Sequence, residues 1–282
     1  MKAVEGIMPT GSRLWRTLVG FLQRNHFTYA AAIAFYTLFS FFPLILILLS
    51  IGGVFIHRYH LENSIITSVQ FYLPIGADLV ENNLRTITAS TGRTSLVALV
   101  LLIWTASGAF LPLELALNEA WGVKRERGFV QRRLFAALMT LLFGFFILVS
   151  VFLTTMIVRF DHYLKGLLKD EWHSAMSPMF IKGMLVLVSL GLAVVMFSFI
   201  YKFVPYTRVR FAQVIPSAVI GAITWEIAKY GFTSLIQFSN YTSVYGSIAS
   251  IIVILTWVYL STVIILFFAE YAAQSSVKKK LK

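Results

Sequence analysis

Long stretches without a charged residue constrain this chain more than any other feature. Five stretches contain no Asp, Glu, Lys or Arg: Phe27–Ile56, Ser95–Leu113, Leu134–Val158, Gly183–Tyr201 and Gly246–Ala269. A sixth, Phe211–Ile236, is interrupted only by Glu226 and Lys229. A bilayer core of about 30 Å requires roughly 20 apolar residues in a helix. Strands of a membrane barrel alternate polar and apolar residues over about 10 positions. The stretches therefore predict membrane-spanning helices.

The composition agrees with a membrane protein and excludes an ordinary soluble domain. Hydrophobic residues make up 58% of the chain and charged residues 13%, against about 45–50% and 25% in soluble domains. We predict an all-α, polytopic membrane protein that forms a single domain over residues 1–282. Its six transmembrane helices are expected at about 28–56, 95–117, 134–158, 181–203, 212–236 and 246–270, with a long outer loop at 57–94.

The distribution of basic residues predicts the orientation of the chain. Sixteen of the 24 Lys and Arg residues lie in segments on the same side as the N-terminus, and seven lie in the opposite loops. Cytoplasmic loops carry an excess of Lys and Arg, so both termini are expected in the cytoplasm. The net charge of +12 is then a topology signal, and we expect no nucleic-acid partner.

Residues 9–26 predict an N-terminal interfacial helix. Its apolar side is broad, while Arg13, Arg16 and Arg24 are polar neighbours of that side. The apolar residues are Leu14, Trp15, Leu18, Val19, Phe21 and Leu22. This pattern is typical of a helix that lies on an anionic membrane surface. A simple connection into the first span fits the same residues.

Two charges interrupt the predicted fifth span. Glu226 and Lys229 are three residues apart and therefore share one face of a helix. They lie about 14–18 residues past the start of the span, roughly 21–27 Å along its axis. Charges at membrane depth are costly and generally face a partner or a cavity. Two interpretations stay open: a self-neutralising pair that holds the helix, and a gating, proton-relay or headgroup site.

Three other polar residues are candidates for a substrate pathway near the cytoplasmic side. Glu114 and Asn118 are four residues apart and present a carboxylate and an amide on one helix face. Glu114 fits an acid that pairs with the basic loop 124–133 as well as an inner gate, and Glu270 at the end of the sixth span fits either role. Kinks that affect gating are predicted at Pro43, Pro112 and Pro216.

The sequence offers no pattern for catalysis, a cofactor or a metal. There is no cysteine, and the phosphate-loop, dinucleotide-binding and GxSxG patterns are absent. His57 and His60 have usable spacing but belong to no HExxH pattern. A nuclease needs clustered carboxylates to hold two cations, and the cytoplasmic loops contain only Glu5, Glu119 and Glu126. We therefore expect a protein that is not an enzyme and holds no cofactor.

Several strings resemble a known family over nearly the whole chain. They are AAAIAFYTLFSFFPL (30–44), WTASGAFLPLELALNEAWGV (104–123), YKFVP (201–205) and the segment 239–274, which begins SNYTSVYG. The chain resembles the YihY/BrkB family, also called the UPF0761 membrane proteins, and WEIAKYGF (225–232) is similar to its YihY branch. The resemblance implies six helices in the bacterial inner membrane and no settled activity. An older label of the family, ribonuclease BN, is regarded as mistaken.

The resemblance also marks shared positions to which no role is assigned. These are Trp121, Gly122, Tyr245 and Gly246, together with Asn118, Glu226, Lys229 and Glu270. Some members are associated with serum resistance or are proposed as exporters of lipidic or small anionic molecules.

We expect a transporter, exporter or lipid-handling protein for an anionic or lipidic substrate. Glu226 and Lys229 would then lie on the wall of a cavity between the second, fifth and sixth spans. The alternative is a non-transporting envelope scaffold. The expected partners are membrane lipids, with anionic lipids favoured. A second copy of the chain and an envelope protein both stay open as further partners.

Overall fold

The computed structural model describes residues 13–40, 93–123, 125, 127–167, 170–238 and 249–280. These residues form seven helices and short connections, and they contain no strand. The helices are α1 (Arg13–Gln23), α2 (residues 26–40), α3 (Arg93–Ala120), α4 (Phe129–Leu167), α5 (Asp170–Phe203), α6 (Phe211–Phe238) and α7 (Ala249–Lys280). The predicted all-α class is confirmed for this part of the chain.

Four of the described helices are long and apolar enough to cross a bilayer. Their apolar portions are Phe129–Ile157, Gly183–Phe203, Phe211–Ile236 and Ala249–Gln274. They coincide with the last four predicted spans, and α3 covers the predicted span at 95–117 as one helix of 28 residues. Pro43, residues 41–56 and the predicted outer loop up to residue 92 lie outside the described residues. The count of six spans therefore stays a prediction.

Helices α4 and α5 extend well beyond the predicted spans. They contain 39 and 34 residues, which corresponds to roughly 58 and 51 Å at 1.5 Å per residue. A bilayer core is only about 30 Å thick, so one end of each helix projects past it. The charge-free stretches in α4 and α5 end at charges such as Arg159 and Lys182. A charge ends an apolar stretch but not a helix, because Arg and Lys are good helix formers.

The five long helices pack in a closed ring. Each of α3 to α6 contacts the next helix along the chain, and α7 returns to contact α3. Helix α7 also contacts α1 and α5. The most deeply buried side chains include Leu117, Tyr201, Val214 and Leu266, which lie near one end of the ring. The core therefore sits where α3 and α5 end and α6 begins.

Basic residues surround this buried end of the bundle. Arg24 contacts the last carbonyl of α3, and Arg127 contacts the carbonyl of Val204 just after α5. The ammonium of Lys202, on the last turn of α5, lies 3.4 Å from the ring centre of Phe211, the first residue of α6. We call this end, defined by these three basic residues, the basic end.

The apolar residues of helix α1 are divided between a face that is buried and a face that is exposed, whereas the sequence predicts a single apolar side. Phe21 and Thr17 are buried against the bundle, and α1 packs on α7. Leu14, Trp15 and Leu22 are exposed, as is Leu18. The sequence pattern could not separate the two faces, because Phe21 is three residues from Leu18 and therefore lies beside Leu14, Leu18 and Leu22 on the helix surface. The outer face has the character expected of an interfacial helix.

Gly122 ends helix α3. Its φ of +65° lies in the left-handed region, which a glycine adopts without steric penalty. The N–H of Gly122 donates to the Glu119 carbonyl at 3.1 Å, and the N–H of Val123 donates to the Asn118 carbonyl at 2.8 Å. This pair of bonds is the Schellman arrangement that satisfies the last carbonyls of a helix. A structural reason thus exists for glycine at this position.

Pro112 and Pro216 lie inside continuous helices, α3 and α6. A proline inside a helix removes the bond to the carbonyl four residues earlier. For Pro112 that residue is Gly108, where an added Cβ would lie 2.6 Å from Cδ1 of Tyr36. Helix α2 therefore approaches α3 closely one turn before the proline. A role of either proline in gating stays a prediction.

Replacing Gly122 with alanine should destabilise the protein. A side chain in the left-handed region costs about 1–2 kcal/mol, and the space around Gly122 is open, so the loss comes from backbone strain alone. Thermal unfolding of the detergent-solubilised chain measures it. Gly144, inside α4 and also in open space, is the matched control, since Gly144→Ala should stabilise the helix by about 0.5–1 kcal/mol. Equal effects of the two substitutions would contradict the assignment.

Candidate functional site

Glu270 of α7 is the most deeply buried acid at the basic end. Its side chain is 0% exposed, and its Oε2 accepts a hydrogen bond of 2.5 Å from Nη1 of Arg24. His26 Nε2 lies 3.4 Å from the same oxygen, and Gln274 donates to Oε1 at 2.9 Å. Arg24 and His26 flank the turn between α1 and α2, where Asn25 has a φ of 52°. Glu270 therefore holds this turn against α7.

Arg24 also connects helix α3 to its contact with Glu270. Its Nη1 also donates to the carbonyl of Ala120, the last residue of α3, at 3.1 Å. A cation at a helix C-terminus is favourable because the last carbonyls carry partial negative charge. Helix α1 approaches so closely that a Cβ added to Gly20 would lie 2.6 Å from Glu270 Oε1. The arrangement connects α1, α3 and α7 through one guanidinium.

Glu114 of α3 forms a second buried acid site with Arg127. Its side chain is 1% exposed, and Arg127 Nη1 lies 2.8 Å from Glu114 Oε1. The contact is electrostatic, since Oε1 receives no directed hydrogen bond from the described residues. Arg127 instead donates to the Val204 carbonyl at 3.0 Å and stacks 3.8 Å from the ring centre of Phe135. The described contacts thus show Glu114 paired with an arginine of the basic loop 124–133.

Asn118 fastens the end of α3 to the connection between α5 and α6. Its Oδ1 accepts a hydrogen bond of 2.7 Å from the backbone N–H of Tyr206, while its own carbonyl takes part in the Schellman arrangement with Val123. The Nδ2 atom of Asn118 and the indole Nε1 of Trp121 are buried without a partner among the described residues. Asn118 therefore connects the end of α3 to the segment that follows α5.

Glu226 and Lys229 of α6 form the third charged site, together with Ser189 of α5. Lys229 Nζ lies 2.5 Å from Glu226 Oε1. The Ser189 hydroxyl donates to Glu226 Oε2 at 3.2 Å and accepts from Lys229 Nζ at 3.3 Å. The Glu226 side chain is buried, whereas that of Lys229 is 34% exposed. The three groups form a closed triangle of hydrogen bonds between two helices.

The hydroxyl of Ser189 behaves differently from many hydroxyls on the long helices. Those hydroxyls donate to the backbone carbonyl four residues earlier in their own helix, which is the usual way to satisfy Ser and Thr in apolar surroundings. The residues are Thr140, Thr155, Thr224, Thr233, Ser234, Thr256 and Thr262. Ser189 reaches across to α6 instead, so it is a specific partner of the charged pair.

The predicted pathway residues divide into separate sites. Glu114, Asn118 and Glu270 lie at the basic end, whereas Glu226 lies 15 residues beyond the start of α6, about 22 Å along the helix. The Glu226–Lys229 pair contacts α5 through Ser189, and the neighbouring Trp225 donates to Ser261 of α7 at 3.0 Å. The predicted position of the pair on a wall shared with α3 stays a prediction. Tyr245 and Gly246 lie outside the described residues.

The residues that complete these sites are absent from the candidates drawn from the sequence. In the sequence, Arg24 indicates only topology and the polar side of the interfacial helix, and Arg127 belongs to the basic loop 124–133 without being singled out as the partner of Glu114. Ser189 carries no signal, since one serine in an apolar stretch is ordinary. His26 is buried beside Glu270, and nothing in its local sequence indicates this. Among the residues described, no group of three or more His, Cys, Asp or Glu is placed to hold a metal.

Removing Arg24 should destabilise the protein more than neutralising Glu270. Arg24→Met leaves Glu270 charged and buried without its main partner, which costs about 3–5 kcal/mol. Glu270→Gln leaves Arg24, which is 31% exposed, free to turn toward water, so the loss is about 1–3 kcal/mol. Thermal unfolding in detergent measures both values. Arg210→Met, which removes an exposed arginine, is the control and should change stability by less than about 0.5 kcal/mol. The reverse order would contradict this account of Glu270.

Comparison with known proteins shows relatives along most of the chain. A model of the family described as virulence factor BrkB matches residues 17–281. A UPF0761 membrane protein of Pseudoalteromonas translucida is 26% identical over 86% of this chain and 79% of its own length. The ribonuclease-like protein YfkH of Bacillus subtilis is 28% identical over 89% of this chain and 90% of its own length.

A longer relative occurs in Pseudomonas aeruginosa. This UPF0761 membrane protein is 29% identical over 84% of the chain but only 56% of its own length. No solved structure matches the chain. The resemblance found in the sequence strings is confirmed by the family match over residues 17–281. The chain belongs to the BrkB family of membrane proteins.

Proposed function

We propose that the protein is a multi-pass protein of the bacterial inner membrane that transports or exports an anionic or lipidic substrate, without enzymatic activity. One observation carries the proposal: a lysine and a glutamate lie about 22 Å along α6 and are bonded to a hydroxyl of α5. Charges are retained at such depth where they serve a pathway or a partner. The exposed part of Lys229 offers a cation to a passing anion.

The basic end supports an anionic substrate and a cytoplasmic position of both termini. Arg13, Arg16 and Arg24 lie on or beside α1, whose outer face is apolar. The two most deeply buried acids there, Glu114 and Glu270, are already paired with arginines. Excess positive charge beside an apolar helix face favours anionic lipids of the inner leaflet.

A scaffold function is the second candidate, and one observation favours it. Each buried carboxylate at the three sites is already neutralised by Arg24, Arg127 or Lys229, as a purely structural pair would be. Deletion of residues 62–90 distinguishes the transport function from the scaffold function. Loss of co-purifying envelope proteins with unchanged substrate flux would support the scaffold.

The substitutions Glu226→Gln and Lys229→Met should slow transport. We expect transfer of a fluorescent phosphatidylglycerol between the leaflets of reconstituted vesicles to fall about tenfold or more, because a hydrogen bond to a charged group contributes about 1.5–3 kcal/mol. Ser234→Ala is the matched control on the same helix, since its exposed hydroxyl bonds only to the Tyr230 carbonyl. If both charge variants fold and transfer lipid at the parental rate, the pair lies on no transport pathway.

Single cysteines test the orientation, because the chain contains none of its own. Cysteines at Ser64, Ser90, Ser174 and Ser239 should react with a membrane-impermeant maleimide in intact spheroplasts. A cysteine at Ser276 should react only after permeabilisation, since the positive-inside rule places the C-terminus in the cytoplasm. Labelling at Ser276 in sealed spheroplasts would overturn the proposed orientation.

A further inference from the structure

Lys229 is held differently from the two arginines that pair with buried acids. Arg24 and Arg127 each also donate to a backbone carbonyl, that of Ala120 or Val204. The contacts described for Lys229 involve side chains only: Glu226, Ser189 and the ring faces of Trp225 and Tyr230 at 5.6 and 5.3 Å. Lys229 can therefore exchange one anionic partner for another by rotation of its side chain.

The surroundings of the pair require the site to stay neutral. The portions of α5, α6 and α7 that are apolar enough to span the membrane contain two other charged side chains, Lys202 and Glu270. Both belong to the basic end, and Lys202 lies 13 residues from Ser189, about 20 Å along α5. The other titratable groups of these portions are Tyr201, Tyr230, Tyr259 and Tyr271. A net charge at this depth would be costly.

Glu226 can lose its charge without losing its hydrogen-bond partner. The Ser189 hydroxyl now donates to Glu226 Oε2 at 3.2 Å. A hydroxyl also accepts hydrogen bonds, so a protonated Glu226 could donate to the same oxygen. Neutralisation of Glu226 therefore releases the ammonium of Lys229 and leaves no buried polar group without a hydrogen bond.

We propose that Lys229 and Ser189 form a binding site for a phosphate- or carboxylate-bearing anion, and that Glu226 occupies this site in the resting state. The anion takes the place of the Glu226 carboxylate on the ammonium, and the Ser189 hydroxyl serves as a second contact. The identity of the anion as the transported substrate rests on the function proposed above.

Exchange of the two anions requires one proton. In the resting site the Glu226 carboxylate and the Lys229 ammonium sum to zero charge. When a monoanion binds, Glu226 takes one proton from bulk water to become a carboxylic acid, and the ammonium pairs with the monoanion. The site again sums to zero: the O–H bond of the Glu226 acid forms as an O–H bond of a hydronium ion in the bulk water breaks. Anion binding and proton uptake are thereby linked one to one.

The test uses the full chain in nanodiscs with two probes. One arm compares phosphatidylcholine discs with discs that also contain phosphatidylglycerol, and the other adds inorganic phosphate to phosphatidylcholine discs. Infrared difference spectra of parent and Glu226→Gln protein isolate the carboxylic-acid band of Glu226, and a pH indicator counts the protons. We expect uptake of one proton per monoanion bound, and because binding takes up a proton, the apparent affinity should fall by up to about tenfold for each unit by which the pH is raised.

If Glu226 and the anion compete for Lys229, substitutions of Glu226 and of Lys229 should change anion binding in opposite directions. With phosphatidylglycerol, Glu226→Gln should bind at neutral pH more tightly than the parent and without pH dependence, because its amide cannot compete for Lys229. With phosphate, this variant should keep only the pH dependence that comes from ionisation of the phosphate itself. Lys229→Met should lose anion binding, and Ser189→Ala should weaken it several-fold, while Ser234→Ala matches the parent. A response to phosphatidylglycerol alone identifies a lipid headgroup as the ligand, and a response to phosphate identifies a soluble anion.

Two results would overturn the inference: no protonation of Glu226 with either probe, or anion binding that Lys229→Met retains. These two results can be distinguished from results that contradict the proposed transport function. If Lys229→Met stops lipid transfer and neither probe protonates Glu226, transport stands and the linked anion site falls. If Glu226 is protonated on anion binding and Lys229→Met transfers lipid at the parental rate, the anion site stands and the transport function falls.

Discussion

Glu270 is a carboxylate buried at the meeting point of three helices, and a buried charge is tolerated only with a partner of opposite sign. Arg24 supplies that partner from the turn between α1 and α2 and also contacts the carbonyl of Ala120 at the end of α3. The position of α1 against α7 depends on this contact, as does the close approach at Gly20. The same rule places Arg127 beside Glu114, so that two acid–arginine pairs organise the basic end of the ring.

The pair on α6 follows the same rule in a different setting. Glu226 is neutralised by Lys229 from its own helix, one turn away, so the pairing does not depend on another segment. What another helix supplies is the hydroxyl of Ser189. A lysine is a flexible point charge, whereas an arginine makes several fixed hydrogen bonds. The described structure thus has arginine pairs that also bond to backbone carbonyls at one end, and a lysine pair that is held by side chains within α6 and α5.

Relatives of the chain carry both membrane-protein and ribonuclease-like names. Hydrolysis of a phosphodiester with two metal ions needs clustered carboxylates. In the described residues the buried carboxylates of Glu114, Glu226 and Glu270 lie in separate pairs, each facing a cation. The charge of each of these carboxylates is therefore compensated by one cation within the described residues.

The sequence by itself determined the helical class, four of the apolar spans and the candidate acids, because each depends on the local run of residues. Hydrophobic length decides whether a helix can cross a bilayer, and a charge inside such a run is visible without any partner. Only the tertiary structure decided that Arg24 meets Glu270, since the two are 246 residues apart in the chain, and which residue of the basic loop meets Glu114. It also decided that Phe21 turns inward while Leu14, Leu18 and Leu22 stay outside, and that Ser189 joins Glu226. Contacts between distant segments depend on how helices pack, and a pattern within one segment contains no information about its neighbour.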